Sequence, residues 1–321
     1  NYVRYENYIA YKQNTVNVSV NKFTGEVNTY YAIWDRDIDF PDPIDKISLE
    51  NAKGAYKNQI GLKLIYKTNR YYPLVTDAKN ESKYYLAYAP LFTNKAIDAF
   101  TGEAIPIDRY AIYLDAKDAV ATEEAVRGSL TPAEMEAVEK LSGLLDEKAI
   151  EKKAREILKI DEGYELYSKN LYKDYKNSED YNWSLFFQKQ IDDNKYTYVD
   201  ISLNAKTGEL VYFYKATPIN EDAKAQINRQ EALELAKEYI KANQEEKFKE
   251  VELFEYENEK DNQLSYSFHF IRKSDGIYVE DDRIFVAVDA VNKEVYSYSI
   301  SWYNGELPAA DNIISEEKAY E

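Results

Sequence analysis

The sequence predicts an α+β protein made of tandem units, each with one helix packed on an antiparallel sheet of about four strands. Three observations carry that expectation: a turn repeated four times, an internal duplication that overlays without gaps, and capped helical stripes followed by alternating strands. The turn occurs at Asn21–Glu26, Asp98–Glu103, Asn204–Glu209 and Asp289–Glu294. In each, a strand-like run breaks at Asn or Asp and restarts at a Glu five residues later. The Asn or Asp side chain can accept hydrogen bonds from the turn backbone, and Gly at the position before Glu supplies a positive φ. Lys293 replaces that Gly in the fourth copy. It must either adopt the left-handed conformation, at a cost of ~1 kcal/mol, or belong to another turn type.

The duplication fixes the register. Arg4 lies 17 residues before Asn21, and Arg272 lies 17 before Asp289. Trp34 follows Asn21 by 13 residues, as Trp302 follows Asp289. The same overlay matches Ile9 to Ile277, Val18 to Val286, Val20 to Val288 and Tyr30 to Tyr298. Chance rarely keeps two Trp residues in place over such a stretch, so the chain is an array of related pieces. Arrays of this kind more often bind or regulate than catalyse.

Taken in order, residues 1–46 are expected to be the C-terminal half of a truncated repeat, with strands and a hairpin but no helix. Residues 47–114 form a unit with Ser48 as helix N-cap, a helix to about Ile60 and strands near Tyr84–Ala89 and the Thr101-Gly102 turn. Residues 115–145 are a helical insertion. Thr131-Pro132-Ala133-Glu134 is a strong helix start there, and Met135, Val138, Leu141 and Leu145 form its apolar stripe. Residues 146–218 are the next unit, with Ile150, Ala154 and Ile157 on one helical face and strands near Tyr164–Leu171, Trp183–Ile191, Tyr196–Leu203 and Glu209–Tyr214. Residues 219–303 are the fullest unit. Asn228 and Glu231 make a capping box ahead of an apolar stripe of Ala232, Leu233, Ala236, Tyr239 and Ile240. In the strand near Ser265–Ile271, Tyr266, Phe268 and Phe270 alternate with polar residues, which marks one buried face. Residues 304–321 read as the start of a further truncated repeat.

Composition excludes several function classes. With 41 Lys and Arg against 58 Asp and Glu, the formal charge is −17, which disfavours nucleic acid or an anionic membrane as the main partner. No apolar run approaches the ~20 residues that span a bilayer, so no membrane insertion is expected of this segment. Cysteine is absent, which removes disulfides, thiolate metal sites and Cys nucleophiles.

Segments Arg4–Trp34 and Arg272–Trp302 resemble the YcdB/YcdC repeat family, which is related to PepSY, peptidase-propeptide and YpeB-like proteins. The shared pattern is an Arg, a Gly- or Asn-containing turn, a strand, Thr-Gly-Glu-Val and a strand ending in Trp. The stretch Leu130–Leu141 followed by Gly143-Leu144-Leu145 is similar to the helices that join such repeats. The resemblance implies PepSY/cystatin-like units in a protein exported to the cell envelope of a Gram-positive bacterium. It also implies binding and restraint of a peptidase, or a propeptide-like chaperone role. It carries no active site.

Candidate chemistry is sparse. His269 is the only histidine and alternates with Ser265 and Ser267 on the face opposite Phe268 and Phe270, so an exposed strand position is the simpler reading than a catalytic triad. Asp35, Asp37 and Asp39 give the D-x-D-x-D opening of a calcium loop, to which Asp42 and Asp45 could add oxygens. A regular loop needs Gly at the sixth position and Glu at the twelfth, where this chain has Phe40 and Lys46. A polar connection stopped by Pro41 and Pro43 explains the acids as well. The pairs Asp192/Asp193 and Asp281/Asp282 fall at expected turns, and adjacent strand residues face opposite ways, which argues against paired glycosidase carboxylates. No cofactor is expected. The 32 Tyr residues include the doublets Tyr30/Tyr31, Tyr71/Tyr72 and Tyr84/Tyr85, each of which puts one ring on either sheet face. The expectation is therefore a non-enzymatic exported module that binds a protein, with a secreted peptidase as candidate partner. The alternative is a cell-wall or carbohydrate-binding module that uses exposed tyrosines. A hydrolase is the third reading.

Overall fold

The computed structural model describes residues 1–68, 84–91, 95–107, 143–174, 176–177, 180–192, 195–216, 223–254 and 264–321. Of the helical insertion expected at 115–145, residues 115–142 lie outside the described residues; Leu145, expected on its apolar stripe, is not helical and donates its N–H to the Ala205 carbonyl instead. In the first part of the chain the elements are β1 (Tyr2–Glu6), β2 (Ile9–Val20), β3 (Val27–Ile33), α1 (Leu49–Gln59), β4 (Lys63–Thr68) and β5 (Tyr84–Ala89). The short strands β6 (Lys95–Ile97) and β7 (Ala104–Pro106) follow, then α2 (Glu147–Leu158), β8 (Glu165–Lys173), β9 (Tyr181–Asp192), β10 (Lys195–Asn204) and β11 (Leu210–Lys215). The last part holds α3 (Arg229–Asn243), α4 (Glu245–Phe248), β12 (Val251–Phe254), β13 (Ser265–Ser274), β14 (Ile277–Asp289), β15 (Glu294–Ser301) and α5 (Glu316–Tyr320).

The chain divides into two compact units, one of Asn1–Leu62 with Ala89–Glu123 and one of Lys63–Tyr88 with Glu124–Glu321. In the first, β1, β2 and β3 form a three-stranded antiparallel meander. Asn7 and Tyr8 turn between β1 and β2 with φ of 49° and 64°. Two consecutive positive φ values give the type I′ turn whose twist suits a two-residue hairpin. Ser48 caps α1 by accepting from the Asn51 N–H at 3.1 Å. Gln59, at the end of α1, holds the β6–β7 hairpin by donating to the Gly102 carbonyl and accepting from the Ala104 N–H.

In the second unit, two four-stranded antiparallel meanders join edge to edge in the order β12-β13-β14-β15-β11-β10-β9-β8. The seam is β11 against β15, with Tyr212 opposite Ser299, Phe213 opposite Tyr298 and Tyr214 opposite Ser297. The sheet is mixed, because β4 pairs in parallel with the first residues of β14, at Tyr278 and Val279. One core serves both meanders. Ile150 and Ala154 of α2 and Ala232, Leu233, Ala236 and Ile240 of α3 share it with Trp183, Phe187, Phe213, Phe268 and Tyr298 from the sheet. The capping box on α3 is complete, with Asn228 and Glu231 each accepting from the other's N–H. Tyr266, Phe268 and Phe270 are buried as their alternation predicts.

The expected fold class is corrected here. The chain is not a series of α+β units, each with a helix on its own sheet of about four strands. Strand residues dominate, and the two helix-bearing stretches contribute to one curled sheet and one core. The reason lies in the edges. Standing alone, each meander would leave β11 or β15 with unpaired N–H and C=O groups beside Tyr, Phe and Val side chains, an aggregation-prone arrangement. Antiparallel pairing covers both edges at once and doubles the core.

The four repeated turns share one geometry. The first residue's carboxylate or amide oxygen accepts from the N–H groups two and three residues on: Phe23 and Thr24, Phe100 and Thr101, Lys206 and Thr207, Val291 and Asn292. The fifth residue is left-handed in every copy, with φ of 74° at Gly25, 74° at Gly102, 69° at Gly208 and 59° at Lys293. Lys293 therefore keeps the turn type and accepts the strain. Replacing Lys293 with Gly is expected to raise stability by about 0.5–1 kcal/mol, because relief of the left-handed cost outweighs the added freedom of the unfolded chain. Chemical denaturation of the two proteins measures it.

Candidate functional site

The face of the sheet opposite the helices carries a continuous row of aromatic rings. Alternation sets its middle. On β9, Leu185 and Phe187 point into the core, so Phe186 points away. On β10, Val199 and Ile201 are buried and Tyr198 lies on the other side; on β11, Phe213 is buried and Tyr214 is not. Both ends of the row depend on irregularities. Leu166 pairs with Phe187 and Ser168 with Phe186, so Tyr167 has no cross-strand partner and is set outward by the bulge. Val288 pairs with Val295 and Ala287 with Ser297, which leaves Tyr296 as the extra residue on β15. Without that bulge, Tyr296 would share the face of Tyr298, which is in the core.

The rings touch in sequence across five neighbouring strands. Ring centroids are 6.2 Å apart for Tyr167–Phe186, 5.3 Å for Phe186–Tyr198, 5.8 Å for Tyr198–Tyr214 and 6.0 Å for Tyr214–Tyr296. The two end contacts are edge-on, at 74° and 76°, while the two central ones are nearer to stacked, at 28° and 34°. Tyr167 is 75% exposed at the β8 edge. The row is a ridge of four tyrosines and one phenylalanine with few rotatable bonds, a surface suited to contact with another macromolecule. By contrast, Tyr239 and Tyr298 under the seam are core residues, and burial pushes both phenols far above the usual range, so they stay neutral.

The residues that the duplication preserves form a second constellation. The Arg272 guanidinium lies 4.6 Å from the centre of the Trp302 ring, and that of Arg4 lies 5.2 Å from Trp34. Each Arg also donates from Nη1 to the carbonyl of the residue after its Trp, at 3.1 Å to Tyr303 and 3.0 Å to Asp35. Each binds a fully buried acceptor as well: Asp282 for Arg272, and Asn14 for Arg4. Asn14 and Asp282 coincide in the same overlay, at the 268-residue offset that carries Arg4 to Arg272. Neither residue type alone signals a buried acceptor, but the shared offset marks the pair.

At Asp282 the constellation becomes an ion cluster. Its carboxylate accepts from Lys176 Nζ at 2.6 Å, Arg272 Nη1 at 3.0 Å, Tyr84 Oη at 3.1 Å and the Tyr303 N–H. Lys176 also donates to the Asp281 carbonyl and to Ser301 Oγ. Asp281 and Asp282 thus lie within β14 rather than at the expected turn. With every oxygen of the Asp282 carboxylate occupied, the cluster clamps β14, the β8–β9 connection and the segment after β15 together.

The other sequence candidates do not converge. Asp35 Oδ2 accepts from Asn14 Nδ2 at 2.9 Å, and Asp42 caps the short 3-10 turn Pro43–Asp45. Among the described residues no three acidic or histidine side chains form a group able to hold a metal, so Asp35, Asp37 and Asp39 are not brought together. His269 lies on the predicted sheet face but is half-buried against Phe285, with ring centroids 4.9 Å apart. Asp192 ends β9, and Asp193 lies outside the described residues. Of the Tyr doublets, Tyr30 and Tyr31 are exposed at 66% and 41%, Tyr84 is tied to Asp282, and Tyr71/Tyr72 lie outside the described residues.

Comparison with known proteins agrees with the resemblance over one stretch. Residues 147–302 match the family described as the YcdB, YcdC repeated domain. That span holds both meanders, the seam between them and the aromatic row. Among solved structures, the chain is similar to the Bacillus megaterium YpeB C-terminal domain. Identity is 15% and the TM-score 0.39, with 55% of this chain and 73% of that one covered. No curated protein matches the chain.

Proposed function

We propose that this chain is a non-enzymatic, exported module that binds a protein partner across the aromatic face of its sheet. The observation that carries the reading is the row Tyr167, Phe186, Tyr198, Tyr214 and Tyr296 on five adjacent strands. Tyr-rich faces of this kind supply large contact area at low cost in side-chain entropy, and tyrosines concentrate binding energy at protein interfaces. The rings lean on one another along the row, which suits the side chains of a protein better than it suits a flat sugar. The formal charge of −17 favours a basic partner, drawn in at long range. A secreted peptidase is the partner class proposed, and that part of the reading rests on the resemblance of the repeat.

The test is a binding and inhibition assay against purified secreted peptidases of the metallo and serine classes. Replacing both Tyr198 and Tyr214 with Ala is expected to weaken binding by about 30-fold, roughly 2 kcal/mol, while the sheet stays folded. If the unaltered chain neither binds nor inhibits any of them, the peptidase reading fails. If it is retained on purified cell-wall polymer and the double variant is not, the face belongs to a carbohydrate ligand instead.

A further inference from the structure

The seam between the two meanders has a symmetry that the first unit leaves incomplete. Strands β11 and β15 are corresponding strands of two repeats: each begins after the repeated turn, and 85 residues separate Glu209 from Glu294. Adding 85 carries Tyr212 to Ser297, Phe213 to Tyr298 and Tyr214 to Ser299. In the seam, Phe213 pairs with Tyr298, its own counterpart, while Tyr212 pairs with Ser299 and Tyr214 with Ser297. That exchange defines a local two-fold axis through the Phe213–Tyr298 pair, whose rings lie nearly parallel at 15°. The repeat therefore recognises another copy of itself through its last strand.

Strand β3 is the same strand in the first unit. Tyr30 corresponds to Tyr298 at the offset of 268 and to Phe213 at the offset of 183. Even the bulge recurs, since Val20 pairs with Val27 and Ser19 with Thr29, as Leu203 pairs with Leu210 and Ser202 with Tyr212. Among the described residues, however, β3 pairs only with β2, and its outer edge is open. All seven of its residues are exposed, including Val27, Tyr30, Tyr31 and Ile33. It carries no charge, whereas the terminal strand β8 of the large sheet has Glu165, Lys169 and Lys173. Charges are one way an edge avoids pairing, and β3 has none; its bulge is no bar, since β11 carries the same bulge and still pairs with β15.

We infer that β3 pairs antiparallel with β3 of a second copy of this chain. Tyr30 meets its counterpart on a true two-fold axis, and Thr29 of each copy faces Tyr31 of the other. The pairing repeats the register of the seam, with the Tyr30 rings in the place of Phe213 and Tyr298. An isologous contact of this type closes on itself and yields a dimer with a continuous six-stranded sheet.

Because the chain has no cysteine, single-cysteine variants report the contact directly. Tyr30→Cys is expected to form a disulfide dimer under mild oxidation, and a mixture of Thr29→Cys and Tyr31→Cys to form mixed dimers. Tyr8→Cys, more exposed than Tyr30 but away from the axis, is the background control. Sedimentation equilibrium should give twice the monomer mass, and Tyr30→Asp, which sets two carboxylates face to face, should return it to that of the monomer. Because Tyr30 is exposed, this variant keeps the fold, which circular dichroism checks. A monomer at all concentrations, with Tyr30→Cys cross-linking no faster than the control, overturns the inference. A monomer that instead binds a peptide spanning Glu209–Ala216 overturns it too, and shows that the edge takes a repeat strand from another source. Neither outcome bears on the aromatic row, which lies in the other unit.

Discussion

Replacing Asp282 with Ala is expected to destabilise the large sheet by about 3–5 kcal/mol, a loss out of proportion to the removal of one small side chain. Lys176 and Asp282 are 3% and 0% exposed and lie 2.6 Å apart, and Arg272 approaches the same carboxylate from the other side. Two cations held away from water around one anion are tolerable only while the anion is present. Without it, Lys176 keeps the Asp281 carbonyl and Ser301, which are dipoles but not charges. The Tyr303 N–H and the Tyr84 hydroxyl lose their acceptor as well. Replacing Lys176 with Met and Asp282 with Leu together should recover part of the loss, because an apolar pair has no charge to strand. Urea denaturation of the three proteins measures both effects. As a surface control, breaking the exposed Lys152–Glu156 pair should leave the midpoint unchanged within error. Equal midpoints for the Asp282 variant and the unaltered protein would show that water reaches the cluster.

What the sequence revealed depended on the range of the interaction. The turns were legible because Asn or Asp, Gly and Glu act on one another within six residues. The helix caps at Ser48 and Asn228 were legible for the same reason. Alternation at Tyr266, Phe268 and Phe270 identified a buried face without any knowledge of what covers it. The pairing of β11 with β15 was not legible, because both strands read the same whether they end a sheet or lie at its middle. From that gap came the mistaken picture of separate units. The aromatic row was hidden for a related reason. Its five rings are neighbours only in register, and Tyr167 and Tyr296 reach the outer face through bulges that no alternation rule anticipates. A charge inside a strand pattern ordinarily signals exposure, so nothing local to Asp282 distinguishes a buried strand position from a turn. Its counterpart Asn14, on the 268-residue offset, was the clue to a buried acceptor.

Replacing Phe213 with Ala is expected to cost about 3–5 kcal/mol and to lower the stability of both meanders together. Phe213 is 1% exposed, stacks on Tyr298 at 6.4 Å and touches Tyr239 of α3 at 5.8 Å. Its ring belongs to the first meander, yet it touches Tyr298 of the second and Tyr239 of the helix that precedes the second. Truncation therefore opens a cavity at the seam, and the surrounding strands, fixed by hydrogen bonds on both sides, can collapse into it only partly. Independent units would respond differently, with one transition shifted and the other unmoved. The three tryptophans distinguish the cases, since Trp183 lies in β9 and Trp302 directly after β15, while Trp34 follows β3 in the other unit. In a background with Trp34 replaced by Phe, variants keeping only Trp183 or only Trp302 should unfold at coincident midpoints, before and after the Phe213 substitution. If the Trp302 transition stays in place while that of Trp183 moves, the meanders are energetically separate despite their shared strands. Coincidence is expected, because the residues that make the seam also make the core.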